Sequence, residues 1–276
     1  MADRDTSGHG GLTLVLLAIP FGLAIGLAVG MLGGGGSVLA VPVLIYVLGQ
    51  SVSDATTASL VIVTAGAVAG GLGHARAGRV CWRHAGTFTA AAIPGIIAGT
   101  LAGETVSDTL LIGVFALVML AAARAIWNKA AEDAQPEGTR ESGACPPLRL
   151  PRDLVAGVAV GFLTGFFGVG GGFLIVPTLA VALAFTMRTA IGTSLAIITA
   201  TSLIGLAVHL IAGRSFDVEL TATMTVACVA GAIAGAALAT HVPQRVLGRS
   251  FAMLVTGVAA YLIISAAFLG GPPGNA

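Results

Sequence analysis

Charged side chains are scarce in this chain. Asp, Glu, Lys and Arg make up 9% of the 276 residues, whereas hydrophobic residues make up 56%, and an ordinary soluble domain carries about 25% charged residues. So little charge does not cover a water-facing surface, which excludes a soluble globular protein and predicts that a lipid bilayer surrounds most of the chain. The formal net charge is only +1, so we expect no nucleic-acid partner.

Aromatic residues and cysteines are also few. Aromatic residues make up 5% of the chain, against 40 glycines, and the apolar stretches are long and continuous, which favours closely packed helices over a membrane barrel of short alternating strands. Cys81, Cys145 and Cys228 are odd in number and have no paired spacing, so we expect neither a disulfide framework nor a metal site. The first ten residues carry no net positive segment, so we expect no cleaved signal peptide.

The chain does contain a duplication. Residues of the first half recur 135 positions later without a gap, as Gly22 recurs at Gly157 and Arg79 at Arg214. The other matched pairs are Gly26 and Gly161, Gly30 and Gly165, Gly33 and Gly168, Gly35 and Gly170, Gly36 and Gly171, Pro42 and Pro177, Ala55 and Ala190, Ser59 and Ser194, Leu60 and Leu195, His74 and His209, and Gly78 and Gly213. Such a duplication in an apolar chain is typical of transporters built from two related halves.

Each half contains five apolar segments, and together they predict an all-α polytopic membrane protein. The segments lie near 12–31, 37–48, 55–73, 85–103 and 106–127, and then near 153–169, 173–186, 189–212, 219–240 and 246–270. The predicted regions are an N-terminal tail (1–11), a first repeat (12–127), a polar linker (128–152), a second repeat (153–270) and a C-terminal tail (271–276). The second segment of each half is shorter than the about 20 residues of a full span. Because it follows a glycine run and contains a proline, we expect a broken or re-entrant helix packed inside protein.

The distribution of Lys and Arg predicts the orientation of these segments. If all ten cross and the N-terminus is outside, eleven of these residues lie inside, and only Arg4 and Arg214 lie outside. The two halves are then inverted and the linker is cytoplasmic. If the short segments do not cross, eight spans with an inside N-terminus give ten inside to three, with Arg188, Arg245 and Arg249 misplaced. The inverted arrangement is favoured narrowly, and full crossing of the short segments stays open.

Two duplicated motifs are candidates for a substrate site. The glycine runs at 30–42 and 165–177 each precede a helix, whose free N–H groups and positive dipole end suit an anion. The segments 54–62 and 189–197 match at a serine with threonines beside it, and hydroxyls can hold an oxyanion. The predicted substrate-binding residues are Gly33, Gly34, Gly35, Gly36, Ser37, Thr57, Ser59, Gly168, Gly170, Gly171, Gly172, Thr193 and Ser194. The alternative roles are close helix packing for the glycines, favoured at the four-residue spacing before each run, and bonding to helix carbonyls for the hydroxyls.

Two histidines and two arginines are candidates for coupling. His74 and His209 each end an apolar segment at His-x-x-x-Gly-Arg spacing; a histidine titrates near neutral pH and could carry a proton. Arg79 and Arg214 could attract an anion, although anchoring at the membrane interface is the favoured role of all four. No Asp, Glu or Lys lies in the middle of an apolar segment, which disfavours a carboxylate proton relay or sodium site. We expect no catalytic residue, metal or cofactor.

At these residues the chain resembles the sulfite exporter TauE/SafE family of membrane permeases. The resemblance rests on both glycine runs, each followed by Val-Pro, on the matched A-x-x-x-S-L segments, and on the His-x-x-x-Gly-Arg motifs beyond them. It covers the chain from about Leu12 to Leu269. The resemblance implies a multi-pass transporter of the bacterial inner (plasma) membrane that exports a small sulfur-containing anion, such as sulfite, sulfoacetate or a related organosulfonate.

From these features we predict an alternating-access carrier with a central anion site, and two other functions stay open. A passive anion channel could use the same lining groups. An intramembrane serine hydrolase is disfavoured, because Ser194 and His209 would lie about 22 Å apart on one helix and the first half repeats the pair at Ser59 and His74. The expected partners are the anion and the bilayer; a homodimer is compatible with the sequence, which does not decide the oligomeric state.

Overall fold

The structure is a computed structural model that describes residues 7–103, 108–132, 145–167, 172–211 and 216–268. These residues form ten α-helices and no strand. The helices are α1 (Ser7–Leu32), α2 (Ser37–Pro42), α3 (Val52–Arg76), α4 (Trp82–Gly103), α5 (Asp108–Glu132), α6 (Leu150–Phe167), α7 (Gly172–Pro177), α8 (Met187–Ile211), α9 (Val218–His241) and α10 (Gln244–Phe268). Seven segments of the described chain are long and apolar enough to cross a membrane. The prediction of a helical membrane protein is confirmed.

The chain reverses direction at the first glycine run. The apolar run Leu17–Val47 has 31 residues, more than the about 20 that one crossing needs. Gly33 has a φ of +73°, which glycine adopts without strain. A Cβ atom at Gly36 would lie 2.5 Å from Val29 N and 2.8 Å from Ile25 O, whereas residues this far apart in a straight helix are separated by about 10 Å or more. The segment after Gly36 therefore folds back along α1.

The short second segments expected from the sequence are present in both halves. In the first half, α2 ends at Pro42 and continues as a π-helical turn, Val43–Val47. In the second half, α7 ends at Pro177 and continues as a π-helical turn, Thr178–Ala182. Proline has no N–H to give to the preceding turn, so a wider turn at the same place in both halves is consistent with the matched prolines.

The first helix of each half packs along the fourth helix of the other half. A Cβ atom at Gly26 of α1 would lie 2.0 Å from the Cys228 carbonyl oxygen of α9, and one at Gly161 of α6 would lie 2.2 Å from the Ala92 carbonyl oxygen of α4. The same close approach occurs at Gly22, Gly30, Gly157 and Gly165. Glycine lets transmembrane backbones touch in this way, so the glycines at four-residue spacing are packing residues, as the sequence favoured.

Helices α3 and α8 lie side by side and antiparallel between these two pairs. Gly192, near the start of α8, lies against His74, near the end of α3, and Gly205 lies against Leu60 at the opposite ends. The fifth helices of the two halves, α5 and α10, pack against each other. Under the 135-residue shift α3 corresponds to α8 and α5 to α10, so each of these helices contacts its own counterpart from the other half.

A disulfide fixes one end of the bundle. We call this the linker end; it contains the end of α3, the start of α4, the start of α6 and residues 145–149. Cys81 and Cys145 are bonded, with their Cα atoms 5.8 Å apart, and Cys228 is free and buried. The expectation of no disulfide was wrong, because the fold joins two cysteines 64 residues apart that no spacing in the sequence marks as a pair.

A buried hydrogen bond between a histidine and an aspartate lies beside the disulfide. The Nδ1 atom of His84 faces Asp153 Oδ1, and both side chains are almost wholly buried. The Nε2 atom of His84 lies 3.0 Å from the Pro146 carbonyl oxygen, which only accepts, so Nε2 carries a hydrogen. The other ring nitrogen therefore shares a proton with the carboxyl group, and the contact joins α4 to α6 and to the end of the linker.

Candidate functional site

A cavity of about 1020 Å³ lies between α2, α3, α4, α6 and α8, in the half of the bundle away from the linker end. It extends from His209 near the end of α8 to Ile197, about 18 Å deeper along the same helix. Most of its wall is apolar. Its polar lining residues are Ser37, Thr56, Ser59, Thr100, Thr164, Thr201, Ser202 and His209.

The hydroxyl groups of this wall are held by their own helices. Ser59 Oγ donates to the Thr56 carbonyl oxygen at 2.8 Å, Ser37 Oγ donates to the Gly34 carbonyl oxygen at 2.7 Å, and Thr164 donates to a carbonyl of the preceding turn. A side chain can rotate away from such a carbonyl at little cost, because the carbonyl also accepts from the helix backbone. The wall therefore offers several neutral hydrogen-bond donors to a ligand.

His209 is the only titratable side chain among the described residues that line the cavity. Its Nδ1 atom lies 3.0 Å from Thr57 Oγ1, and Thr57 is fully buried. This contact joins the end of α8 to the first part of α3 and holds the imidazole ring at the cavity. The ring is the one group of the wall that can gain a full positive charge.

Gly33, Gly34, Gly35, Gly36 and Gly172 lie beneath the cavity and are not among its lining residues. Gly33 to Gly36 are all buried. A Cβ atom at Gly34 would lie 1.6 Å from the Gly172 carbonyl oxygen, and one at Gly33 would lie 2.6 Å from Ser194 Oγ. These glycines bring the breaks of the two halves into direct contact, so the start of α2 is covered by protein. Gly168, Gly170 and Gly171 lie outside the described residues.

The predicted hydroxyls of the second half lie on the other side of this contact. Ser194 is fully buried, and its Oγ donates to the Ile191 carbonyl oxygen at 2.8 Å. Thr193 Oγ1 accepts a hydrogen bond from the Cys81 backbone N–H at 3.1 Å. Neither side chain lines the cavity, so the structure separates them from their first-half counterparts.

The predicted coupling residues are divided in the same way. His74 is buried towards the linker end, and its Nε2 atom lies 3.1 Å from the Gly30 carbonyl oxygen, whereas His209 lines the cavity. Arg79 lies in the loop after α3, where partial burial and then the nearby charge of Arg188 lower the pKa of its guanidinium. Arg214 lies outside the described residues.

The structure therefore brings Ser37, Ser59, Thr57 and His209 together and leaves the other described candidates elsewhere. Sequence reasoning missed Thr56, Thr100, Thr164, Thr201 and Ser202. These hydroxyls have no hydroxyl at the matched position of the other half, so a search for shared residues discards them. Isolated hydroxyls in the apolar segments that contribute to the cavity are the signal that could have identified them.

Comparison with known proteins assigns this architecture to a family. The family model described as sulfite exporter TauE/SafE matches residues 18–262. The chain belongs to the sulfite exporter TauE/SafE family. A probable membrane transporter protein from Xylella fastidiosa strain 9a5c is 34% identical over 256 residues, which is 90% of this chain and 95% of that protein. The probable membrane transporter protein YunE of Bacillus subtilis is 27% identical over 265 residues, covering 88% and 93% of the two chains.

A third relative matches over a shorter part of the chain. A probable membrane transporter protein from Methanocaldococcus jannaschii is 28% identical over 207 residues, covering 71% of this chain and 74% of that protein. No solved structure matches the chain. The family and these names describe membrane transporters and not enzymes, and TauE/SafE membership makes this chain a multi-pass membrane transporter.

Proposed function

We propose that this TauE/SafE protein exports a small sulfur-containing anion across the bacterial inner membrane by alternating access. The observation that carries the proposal is the cavity of about 1020 Å³, which is lined by hydroxyls and one histidine in one half of the bundle and is bounded towards the other half by the contact between Gly34 and Gly172. The choice of a sulfur-containing anion follows from membership of the sulfite exporter TauE/SafE family. The cavity has room for a hydrated inorganic ion or for an organosulfonate.

The lining chemistry supports an anion. No Asp or Glu is among the described residues that line the cavity, so no fixed negative charge repels the ligand. Hydroxyl dipoles stabilise an oxyanion without placing a permanent cation in a site of low dielectric, where an unpaired charge is costly. His209 is the one group of this wall that can add a positive charge to those dipoles.

The directions of the helices support inverted halves. α1 runs towards the linker end, because its residue Gly30 lies beside His74 at the end of α3. α6 begins at the linker end, where Asp153 in its first turn pairs with His84. The matched first helices of the two halves therefore run in opposite directions, as expected for an inverted repeat.

The repeat also suggests the second state of the carrier. In this structure Ser59 and His209 line the cavity, whereas their counterparts Ser194 and His74 are buried on the other side of the glycine contact. If the two halves exchange conformations, the cavity at Ser59 closes and a matching cavity opens at Ser194. The anion would then pass from one set of hydroxyls to the other.

We infer that the linker end is cytoplasmic. All ten described Lys and Arg residues lie in the linker-end halves of their helices or in the connections at that end, and such residues are enriched on the cytoplasmic side. The disulfide between Cys81 and Cys145 lies at the same end but is typical of an oxidising compartment. The ten charges favour the cytoplasm and the disulfide favours the opposite side. Ten charges on one side are a stronger indication of orientation than one pair of thiols.

Flux in proteoliposomes tests the proposed function. The purified protein is reconstituted and tested with sulfite, sulfoacetate, taurine and sulfate at two pH values. Ser59→Ala and His209→Gln should each impair the flux of the transported anion, because they remove a donor and the titratable group of the cavity. Thr223→Ala is the matched control, because its hydroxyl bonds to the Glu219 carbonyl oxygen on an exposed surface of α9. Unchanged flux in Ser59→Ala and His209→Gln would show that neither residue belongs to the site. A conductance that does not saturate would indicate a passive channel instead of a carrier.

A further inference from the structure

Three basic residues lie near one another at the linker end, on the closed side of the glycine contact. His74 lies in the last turn of α3, Arg79 in the loop that follows, and Arg188 in the first turn of α8. A Cβ atom at Gly192 would lie 2.5 Å from the Arg79 carbonyl oxygen and 3.2 Å from His74 Cβ, so this turn of α8 touches both. Arg188 lies four residues before Gly192, on the same face of α8.

Each of the two arginines has a buried nitrogen atom without a partner. Arg79 Nη1 and Arg188 Nε make no hydrogen bond to any residue in the described ranges. Arg188 does donate from Nη2 to the carbonyl oxygens of Thr240 and Val242, which satisfies the end of α9 but leaves its Nε unused. Burying a polar group without a hydrogen-bond partner is costly, so an oxyanion that accepts from both N–H groups would be stabilised here.

Neither guanidinium group has a counter-charge among the residues that the structure describes. Within the part of the chain that the structure describes, neither Arg79 nor Arg188 forms an ion pair. The charge of Arg188 contributes to the lowered pKa of Arg79, so the two cations repel each other. An anion between them would relieve the repulsion and accept from the unused N–H groups.

The loop that carries Arg79 is held in place. The Cys81 backbone N–H donates to Thr193 Oγ1 on α8, and Cys81 is bonded to Cys145. The Arg79 N–H donates to the His74 carbonyl oxygen at 3.0 Å. A preorganised loop loses less conformational entropy when a ligand binds, which suits a binding site.

We propose that Arg79 and Arg188 form a second anion site, at the linker end, that binds a small sulfur oxyanion. The two guanidinium groups can donate charge-assisted hydrogen bonds to such an oxyanion through Arg79 Nη1 and Arg188 Nε. The site captures the anion on the closed side before the carrier opens there. This role rests on the proposed function, whereas the binding of the anion does not. The opposite end lacks this pair, because Arg188 corresponds to Ser53 under the 135-residue shift, so the site acts on one face of the membrane.

Equilibrium binding to the full-length protein in nanodiscs tests the site, with sodium sulfite and sodium sulfate as probes and chloride to hold the ionic strength constant. Arg79→Gln should weaken binding about tenfold, the change that corresponds to 1.4 kcal/mol. Arg188→Lys keeps the charge but removes the fork, and it should weaken binding by a smaller factor. Arg76→Gln is the matched control, because this exposed arginine ends the same helix, and it should bind as the unmodified protein does.

Two results would overturn the site, and a third would count against transport alone. Sulfite and sulfate binding that is unchanged in Arg79→Gln overturns the proposal, even where the protein transports sulfite. Weaker binding in a protein that moves no anion supports the site and counts only against the proposed function. The linker carboxylates Asp133, Glu137 and Glu141 are the rival occupants; if their neutralisation lowers the unfolding temperature of the unmodified protein but not of Arg79→Gln, a carboxylate occupies the site and the proposal fails.

Discussion

Replacing Gly34 by alanine tests whether the breaks of the two halves touch. The new Cβ atom would lie 1.6 Å from the Gly172 carbonyl oxygen and 2.2 Å from its carbonyl carbon, whereas ordinary contacts begin at 3.4 Å. The two segments must therefore separate by about 1.8 Å. Both clashing atoms belong to the backbone, so no side chain can rotate away from the new methyl group. Overpacking costs about 1–3 kcal/mol, and we expect the upper end of that range.

The effect is measured as the apparent unfolding temperature of purified protein in nanodiscs, together with sulfite flux. A loss of about 3 kcal/mol corresponds to a decrease of roughly 6–12 °C for a chain of this size. Gly172→Ala should cost less, because the nearest atom is the rotatable Ser37 Oγ at 2.7 Å. Gly86→Ala is the control: nothing lies within 4 Å, and alanine is favoured in a helix. If Gly34→Ala unfolds at the same temperature as Gly86→Ala, the contact between the breaks does not exist.

Three further predictions concern other parts of the molecule. Gly26→Ala and Gly161→Ala should both lower the unfolding temperature, because the new methyl groups would lie 2.0 and 2.2 Å from backbone carbonyl oxygens. Gly257→Ala is the control and should not lower it, because nothing lies within 4 Å of the new methyl group. Equal unfolding temperatures for all three variants would contradict the close packing of α1 with α9 and of α4 with α6. Asp153→Asn should destabilise the protein by about 1–3 kcal/mol, because it disrupts a buried hydrogen bond and leaves polar atoms poorly satisfied. Adding His84→Ala to it should cost much less than the same change made alone, and additive losses in the double variant would argue against the contact. The orientation is tested in a variant with Cys228 replaced by alanine. After reduction, a membrane-impermeant maleimide should label Cys81 and Cys145 in inverted vesicles and not in intact spheroplasts. Labelling of reduced spheroplasts would place the linker end outside, as the disulfide suggests and the charge distribution does not.

The sequence predicts the framework of the fold because repeated small residues have a direct physical consequence. Glycine at four-residue spacing permits backbone contact, and α1 meets α9 through Gly26 as such spacing suggests. A proline at the same place in both halves likewise marks the short second segments, whose α-helical parts, α2 and α7, end at Pro42 and Pro177. These features depend on local rules that one sequence contains.

The sequence predicts only part of the cavity lining, because matched residues of the two halves are not in the same environment. The repeat marks Ser59 and Ser194 as equivalent, but one lines the cavity and the other is buried beyond the glycine contact. The asymmetry belongs to the conformation of the whole molecule, which no matched pair in the sequence records. The disulfide and the pair of His84 with Asp153 were missed for a related reason: their partners are distant in sequence and meet only when the linker folds against α4.

Counterflow in sulfite-loaded proteoliposomes tests the central claim most directly. A carrier that alternates between two states, each open to one side of the membrane, exchanges anions across it. Vesicles preloaded with unlabelled sulfite should therefore take up labelled sulfite faster than empty vesicles do. The uptake should saturate with external sulfite and should fall when Ser59 is replaced by alanine. Uptake that is indifferent to preloading and rises linearly with external sulfite would contradict alternating access through this cavity.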